Sequence, residues 1–376
     1  MNNCFLCGNQ ITSSNDSNEH IIPNAIGGRR TIKGFICNPC NNKTGKDWDV
    51  KLTNQLNPLN LLLVIRRDRG EVRPQAFKTI SGKEYYLRAN GSMIPFKPTF
   101  NKTPMDKGYN FSFVARDERE AQQFLKSIKR DFPNFDIDSY LGNMKVEEVY
   151  ITDDPLHMEL RFGGLNEGRS LIKSLLAFCF SRGIAPSMCN TALSFLREEG
   201  EACFGWYYQE DDIIIKRNFT KPMHCLAIQG NPSEGTLLGY LEFFGVLRIV
   251  ACLSNEYKGD AFKSSYCLAP EDWEESEFDF EINVSIKELN DVYSYRKCDA
   301  SIQRASMVEF LNYTQVKGED RERNRVTESF SNELISKLSQ LENEFTRQEF
   351  SQIYNEVLSN SQLLPYILSR IKKGGC

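Results

Sequence analysis

Apolar positions change period several times along this chain, and each change marks an expected element. Across residues 117–130, Ala121, Phe124, Leu125 and Ile128 recur at helical spacing, so one face of a helix is expected to be buried. Residues 169–182 are more strongly apolar, introduced by Gly163-Gly164 and stopped by Gly183, and a further helix is expected over about 190–199. Strands are predicted over 109–115, 146–151, 157–162, 213–215, 223–228, 240–244 and 247–254, the later ones in a mixed, mainly antiparallel sheet. Between residues 57 and 110, Ser81-Gly82 and Asn90-Gly91 flank the strand-like stretch 84–87, a hairpin or small meander. After residue 316 the pattern turns amphipathic: Phe330, Leu334, Leu338, Leu341 and Phe345 share a helical face, and further helices are expected around 350–358 and 363–371. Fewer than three heptads are present. Packing onto the preceding domain is the default for these helices, with a helical dimer contact, and hence a homo-oligomer, as the alternative. The predicted fold class is α+β.

Composition bounds the picture without fixing it. A chain of 376 residues suggests two or three domains. With 40% hydrophobic and 26% charged residues it reads as an ordinary globular protein. Apolar runs such as 61–65 and 175–180 are far too short to span a bilayer, so no membrane partner is expected. The start Met1-Asn2-Asn3-Cys4 has no basic or apolar leader, which makes the cytoplasm the expected compartment. The net charge of −4 leans away from nucleic acid, but it is unevenly spread. Residues 1–110 hold 16 Lys+Arg against 8 Asp+Glu, whereas the remainder holds 30 against 42. A basic front suits a polyanion.

The cysteines narrow this further. Of 12, eight have no paired spacing, and several, such as Cys179 and Cys252, lie in apolar stretches where a buried thiol is expected. The other four form two C-x-x-C knuckles, Cys4/Cys7 and Cys37/Cys40. Two such knuckles about 30 residues apart can close a tetrahedral four-thiolate zinc site. A redox pair is the rival reading, but no βαβ pattern surrounds either knuckle. A segment of about 50 residues builds little core alone, so zinc would supply folding energy there.

Between the knuckles lies Glu19-His20-Ile21-Ile22-Pro23, then Gly27-Gly28-Arg29-Arg30, and the second knuckle continues Cys40-Asn41-Asn42-Lys43-Thr44-Gly45. In this order, and within about the first 56 residues, the sequence resembles the HNH, or ββα-metal, endonucleases. The resemblance implies His20 as the general base, with Glu19 and Asn41 holding a catalytic Mg²⁺ or Mn²⁺. The chemistry agrees: imidazole titrates near neutrality, and oxygen donors suit those ions. Two departures stand out. Asn41 replaces the final histidine of the family name, and residues 25–36 contain no asparagine to orient the histidine loop, Thr31 being the nearest polar residue. Asn41 also reads as a helix N-cap. Gly27 and Gly28 are expected to make the hairpin turn, and Arg29, Arg30, Lys33, Lys43 and Lys46 are the candidate phosphate contacts. Asp49 is read as structural.

Four segments follow: an HNH domain at 1–56, a basic β-rich connector at 57–110 with Arg66, Arg67, Arg69 and Arg73 clustered, an α+β domain at 111–315, and a helical segment at 316–376. His157 and His224 read as packing histidines, and residues 230–235 as a turn rather than a phosphate loop. The overall plan looks like stand-alone bacterial HNH proteins with a long C-terminal region, often linked to defence against phage or foreign DNA. The expected function is therefore metal-dependent DNA cleavage, with the C-terminal region regulating activity or target choice. One alternative is a catalytically inactive zinc-stapled nucleic-acid-binding module. Another is a nuclease activated by a partner protein or by a ligand such as a cyclic oligonucleotide.

Overall fold

The computed structural model describes residues 3–67, 72–106, 108–138, 150, 154–158, 160–341 and 345–374. Arg69, Cys376 and nearly all of the strand expected at 146–151 lie outside them. The chain forms two compact units, one made of residues 1–73 and 160–315, the other of 74–159 and 316–376. These divisions differ from the four sequence segments. In particular, residues 1–56 share a unit with most of the α+β region.

The first unit is organised by a six-stranded sheet in which every pair is antiparallel. With strands numbered in chain order, it contains β9 (Phe204–Trp206), β10 (His224–Asn231), β11 (Thr236–Phe243), β12 (Leu247–Ser254), β13 (Phe262–Leu268) and β14 (Glu275–Ser276). The spatial order is β14-β13-β10-β11-β12-β9. Period-2 alternation explains how it is covered. Leu226 and Ile228 of β10 face one core, and Cys225 and Ala227 face another. The second core is closed by Ile213, Ile214, Phe280, Ile282 and Val292. The expected strand at 213–215 is a single bridge from Ile214 to Phe280, and the turn at 230–235 is the β10–β11 hairpin.

Helix α4 (Leu165–Ser181) lies on the first face, buried at every residue from Ser170 to Cys179. A helix apolar nearly all round must be enclosed. Its Leu175 approaches the sheet where Gly239 leaves room, since a Cβ there would come within 3.1 Å of that leucine. The core on this face runs without a break from Leu226, Leu241 and Ile249 through Leu171, Leu175 and Phe178 to Ile21, Ile22, Ile26, Phe35, Trp48, Leu52 and Leu56. The N-terminal segment therefore shares one core with the sheet and α4 rather than standing apart.

Within that segment β1 (Glu19–His20) pairs with β2 (Thr31–Ile32). Helix α1 (Asn38–Thr44), a π-helical turn (Gly45–Asp49) and α2 (Val50–Leu63) follow. Gly27 and Gly28 do not form a tight two-residue hairpin turn. They close a 3-10 turn, Asn24–Ile26, in which Gly27 has φ 96° and Gly28 donates to the Pro23 carbonyl. A Cβ at Gly28 would fall 1.8 Å from the Ile22 carbonyl oxygen, so the close backbone approach requires glycine.

The second unit has a four-stranded antiparallel sheet, β5 (Met93–Pro95), β4 (Glu84–Leu87), β3 (Gln75–Thr79) and β8 (Leu156–His157) in spatial order. It also has the hairpin β6 (Thr99–Pro104) and β7 (Tyr109–Val114), whose Phe111 and Phe113 pack on Phe132 and on Phe124 of α3 (Glu118–Asp131). Asp117 caps α3 by accepting from the Glu120 amide. Helices α5 (Asn190–Leu196) and α6 (Ile286–Tyr293) belong to the first unit. The amphipathic pattern past 316 is the latter half of a longer helix, α7 (Ala300–Leu338), so Leu341 and Phe345 fall beyond its end. The part of α7 from Val316 on belongs to the second unit. Helices α8 (Arg347–Asn360) and α9 (Leu363–Gly374) complete the unit, with Phe330 set edge-on to Tyr354 and Arg370 paired to Glu319. Among the described residues no helix is long and apolar enough to cross a membrane.

Candidate active site

The two knuckles meet through local contacts. Gly8 donates to the Cys4 carbonyl to close the first turn, and Phe5 stacks on Phe35 at 4.5 Å. Ser17 donates to the Ile36 carbonyl, and Asp16 accepts from the Gly34 amide. These contacts bring the Sγ atoms of Cys4, Cys7, Cys37 and Cys40 within 4.8 Å of one another, with Cys7 and Cys37 at 3.8 Å. Sulfurs about 2.3 Å from a tetrahedral zinc stand at that separation, so the four residues could hold one. Burial works against a Cys4 thiolate, but backbone amides of Cys7, Cys37 and Leu6 bring its thiol below the ordinary range. Burial, and neighbouring thiols, push Cys40 up. A cation among four such thiols favours their deprotonated forms.

The second cluster surrounds β1. Glu19 is buried, at 5% exposure, although it is an acid on a two-residue strand. Its Oε1 accepts from Lys173 Nζ of α4 at 2.7 Å, and its carboxylate is also hydrogen-bonded to the Asn41 side chain. Asn41 lies inside α1, whose N-cap is Cys37, so the N-cap reading of Asn41 is excluded. Helix α1 starts at the knuckle with Pro39 in its first turn, and this places Asn41 one turn in, facing Glu19. His20, half-buried, stands opposite Thr31 in the β1–β2 ladder. Thr31 is the residue the sequence offers in place of the missing asparagine.

Lys173 is the residue that sequence reasoning missed. It is 2% exposed, and its Nζ also lies 2.5 Å from Asp49 Oδ2 and 3.4 Å from Thr44 Oγ1. An ammonium has three donors, and here all three have acceptors, the condition under which a buried charge is tolerated. Ser170, one turn earlier on α4, donates to Asp49 Oδ1 at 2.6 Å. Asp49 lies in the π turn between α1 and α2, a wider turn of a kind frequently found at functional sites. Burial pushes the Glu19 carboxyl above its ordinary range despite Lys173. Burial also opposes the Lys173 charge, but Glu19 and Asp49 together raise it. One ammonium stands between a buried carboxylate, Glu19, and a partly exposed one, Asp49. A signal was present in the sequence: a lysine amid Leu171, Ile172, Leu175 and Leu176 on an enclosed helix needs a buried anion.

Polar ties fix this segment to the sheet. His224 on β10 donates from Nε2 to the Ile26 carbonyl at 2.8 Å, while Nδ1 accepts from the Phe244 amide. Arg197 donates to the Phe5 carbonyl, and Gln55 binds both the carbonyl and the amide of Gly163 before α4. Of the candidate phosphate contacts, Lys33, Lys43 and Lys46 are exposed. The two arginines are engaged within the unit. Arg29 lies over the Trp273 ring at 4.0 Å, and Arg30 pairs with Glu275 at 3.2 Å over Tyr266.

Glu19 and Asn41 meet side chain to side chain, and hard divalent cations take carboxylate and amide oxygens. One Glu19 oxygen is already held by an ammonium. Residues 4–57 match the family model described as HNH endonuclease. The N-terminal segment thus carries an HNH-family domain, with its cysteine cluster, inside an α+β chain. No curated protein and no solved structure matches the chain.

Proposed function

We propose that the protein is a metal-dependent endonuclease that hydrolyses DNA phosphodiester bonds, with His20 as general base and a structural zinc on Cys4, Cys7, Cys37 and Cys40. The observation that carries this reading is the meeting of Glu19 and Asn41, from β1 and α1, with His20 the next residue of the same strand as Glu19. An imidazole can take a proton from water near neutral pH. A Mg²⁺ or Mn²⁺ held by Glu19 and Asn41 would polarise the scissile phosphate and stabilise the leaving oxygen. Lys33, Lys43 and Lys46 supply exposed positive charge for the phosphate backbone. The biological role that suits such an enzyme is defence of a bacterial cell against phage or foreign DNA.

A latent form of the enzyme, released by a ligand or partner, is favoured by one observation. Arg29 and Arg30 are held by Trp273 and Glu275. Induced expression in a bacterial host tests both forms. The wild type is expected to cause DNA damage and growth arrest that His20→Ala abolishes, and arrest by His20→Ala equal to the wild type would overturn the assignment.

A further inference from the structure

We propose that Lys173 is a positioning residue of this site: its ammonium holds Glu19 in place and keeps the Glu19–Asp49 pair from taking a divalent cation tightly. This rests on the metal-dependent reading above. At 2% exposure Lys173 cannot reach a phosphate, so it acts through the groups it touches.

Those groups form a cation cage. Glu19 Oε1, Asp49 Oδ2 and Thr44 Oγ1 converge on one nitrogen, at 2.7, 2.5 and 3.4 Å, and the Asn41 side chain is bonded to Glu19. Two carboxylate oxygens and a hydroxyl oxygen around one point are donors that Mg²⁺ and Mn²⁺ accept, although at oxygen distances of about 2.1 Å, roughly half an ångström shorter for the carboxylates and more than about one for the hydroxyl. The ammonium is thus a tethered monovalent occupant of oxygens that would suit a divalent one. Any metal bound at Glu19 shares a carboxylate with it and feels a like charge at close range, in a setting that screens poorly. The tether is firm. Leu171, Ile172, Leu175 and Leu176 pack on either side of Lys173, and Ser170 holds Asp49 from the same helix. Weak metal binding by the resting protein follows, together with a defined place for Glu19 in the absence of metal.

The test is Mn²⁺ affinity of the zinc-loaded full chain, measured from the electron paramagnetic resonance signal of free Mn²⁺. Wild type is compared with Lys173→Met, Asp49→Asn and Glu19→Gln, with folding checked by zinc content and thermal melting. Lys173→Met is expected to bind Mn²⁺ at least tenfold more tightly, because a carboxylate pair is left without its cation. A purely structural ion pair predicts no such gain, so equal or weaker binding by folded Lys173→Met overturns the proposal. Asp49→Asn leaves Glu19 as the sole anionic partner of Lys173 and is expected to bind Mn²⁺ at least threefold more weakly. It carries the test if Lys173→Met does not fold, and wild-type affinity in it overturns the proposal. Glu19→Gln is expected to abolish the site. Mn²⁺ binding unchanged in Glu19→Gln overturns the metal reading and this proposal with it, whereas loss in Glu19→Gln without a gain in Lys173→Met overturns the role of Lys173 alone.

Discussion

The four cysteines come from two turns that the first 40 residues bring together by their own contacts, whereas Glu19, in the same segment, meets its ammonium only when α4 is in place. At the cysteine end the ligands are close in sequence and their spacing announces them. At the Glu19 end the decisive partner is more than 150 residues away and comes from a helix whose sequence reads as core. Local closure gives a recognisable motif. Remote closure makes the site depend on the packing of the whole unit, since α4 is seated by the sheet beneath it.

Removing the metal-binding thiols tests this contrast most severely. A structural zinc contributes ~10 kcal/mol in small zinc domains. Cys37→Ser is expected to lose bound zinc and the cooperative melting of the first unit. Zinc analysis and calorimetry check this, and an unchanged melt would show that the cysteine end does not depend on metal. Leu175→Ala attacks the other end. Leu175 is fully buried between α4 and β11, and such a truncation costs ~4 kcal/mol. Because the knuckles close locally, zinc content is expected to persist while the melting temperature falls. Loss of zinc at the native temperature would break the distinction.

His224 gives a third test, by pH. Burial lowers its pKa to about 4 from 6.5, against the Ile26 carbonyl and Glu242. The unfolded chain therefore takes up the proton first as pH falls. Stability from this group is whole above about 6.5 and is lost as pH drops through the folded-state value near 4, by ~3 kcal/mol in all. Denaturant titrations at pH 7 and pH 4.5 are expected to show a larger loss for the wild type than for His224→Asn, and parallel losses would contradict the assignment. The smallest effect is expected from Ser170→Ala. It removes one hydrogen bond to Asp49 and costs ~1 kcal/mol in a chemical melt.

How far the sequence could be read follows the same divide. The knuckles, Glu19-His20 and Asn41 were visible because fixed spacing along a short segment carries them. The strands around residues 223–254 were visible because they are enclosed and apolar. Strand β13 was not, since Phe-Lys-Ser-Ser-Tyr-Cys-Leu places polar residues at its centre and owes its pairing to β10. Lys173 and Asp49 were not joined, because nothing local links a π turn to a distant helix. Arg29 and Arg30 read as surface charge, and only the fold sets Trp273 and Glu275 against them.

His20, next to Glu19 in the chain, is proposed as the base of a metal-dependent nuclease. Cleavage of supercoiled plasmid DNA by the purified zinc-loaded chain, with Mg²⁺ or Mn²⁺ against chelator, tests it most directly. Metal-dependent relaxation or linearisation by the wild type is expected, with a loss of at least 100-fold in rate for His20→Ala. Cleavage by His20→Ala at the wild-type rate would contradict it.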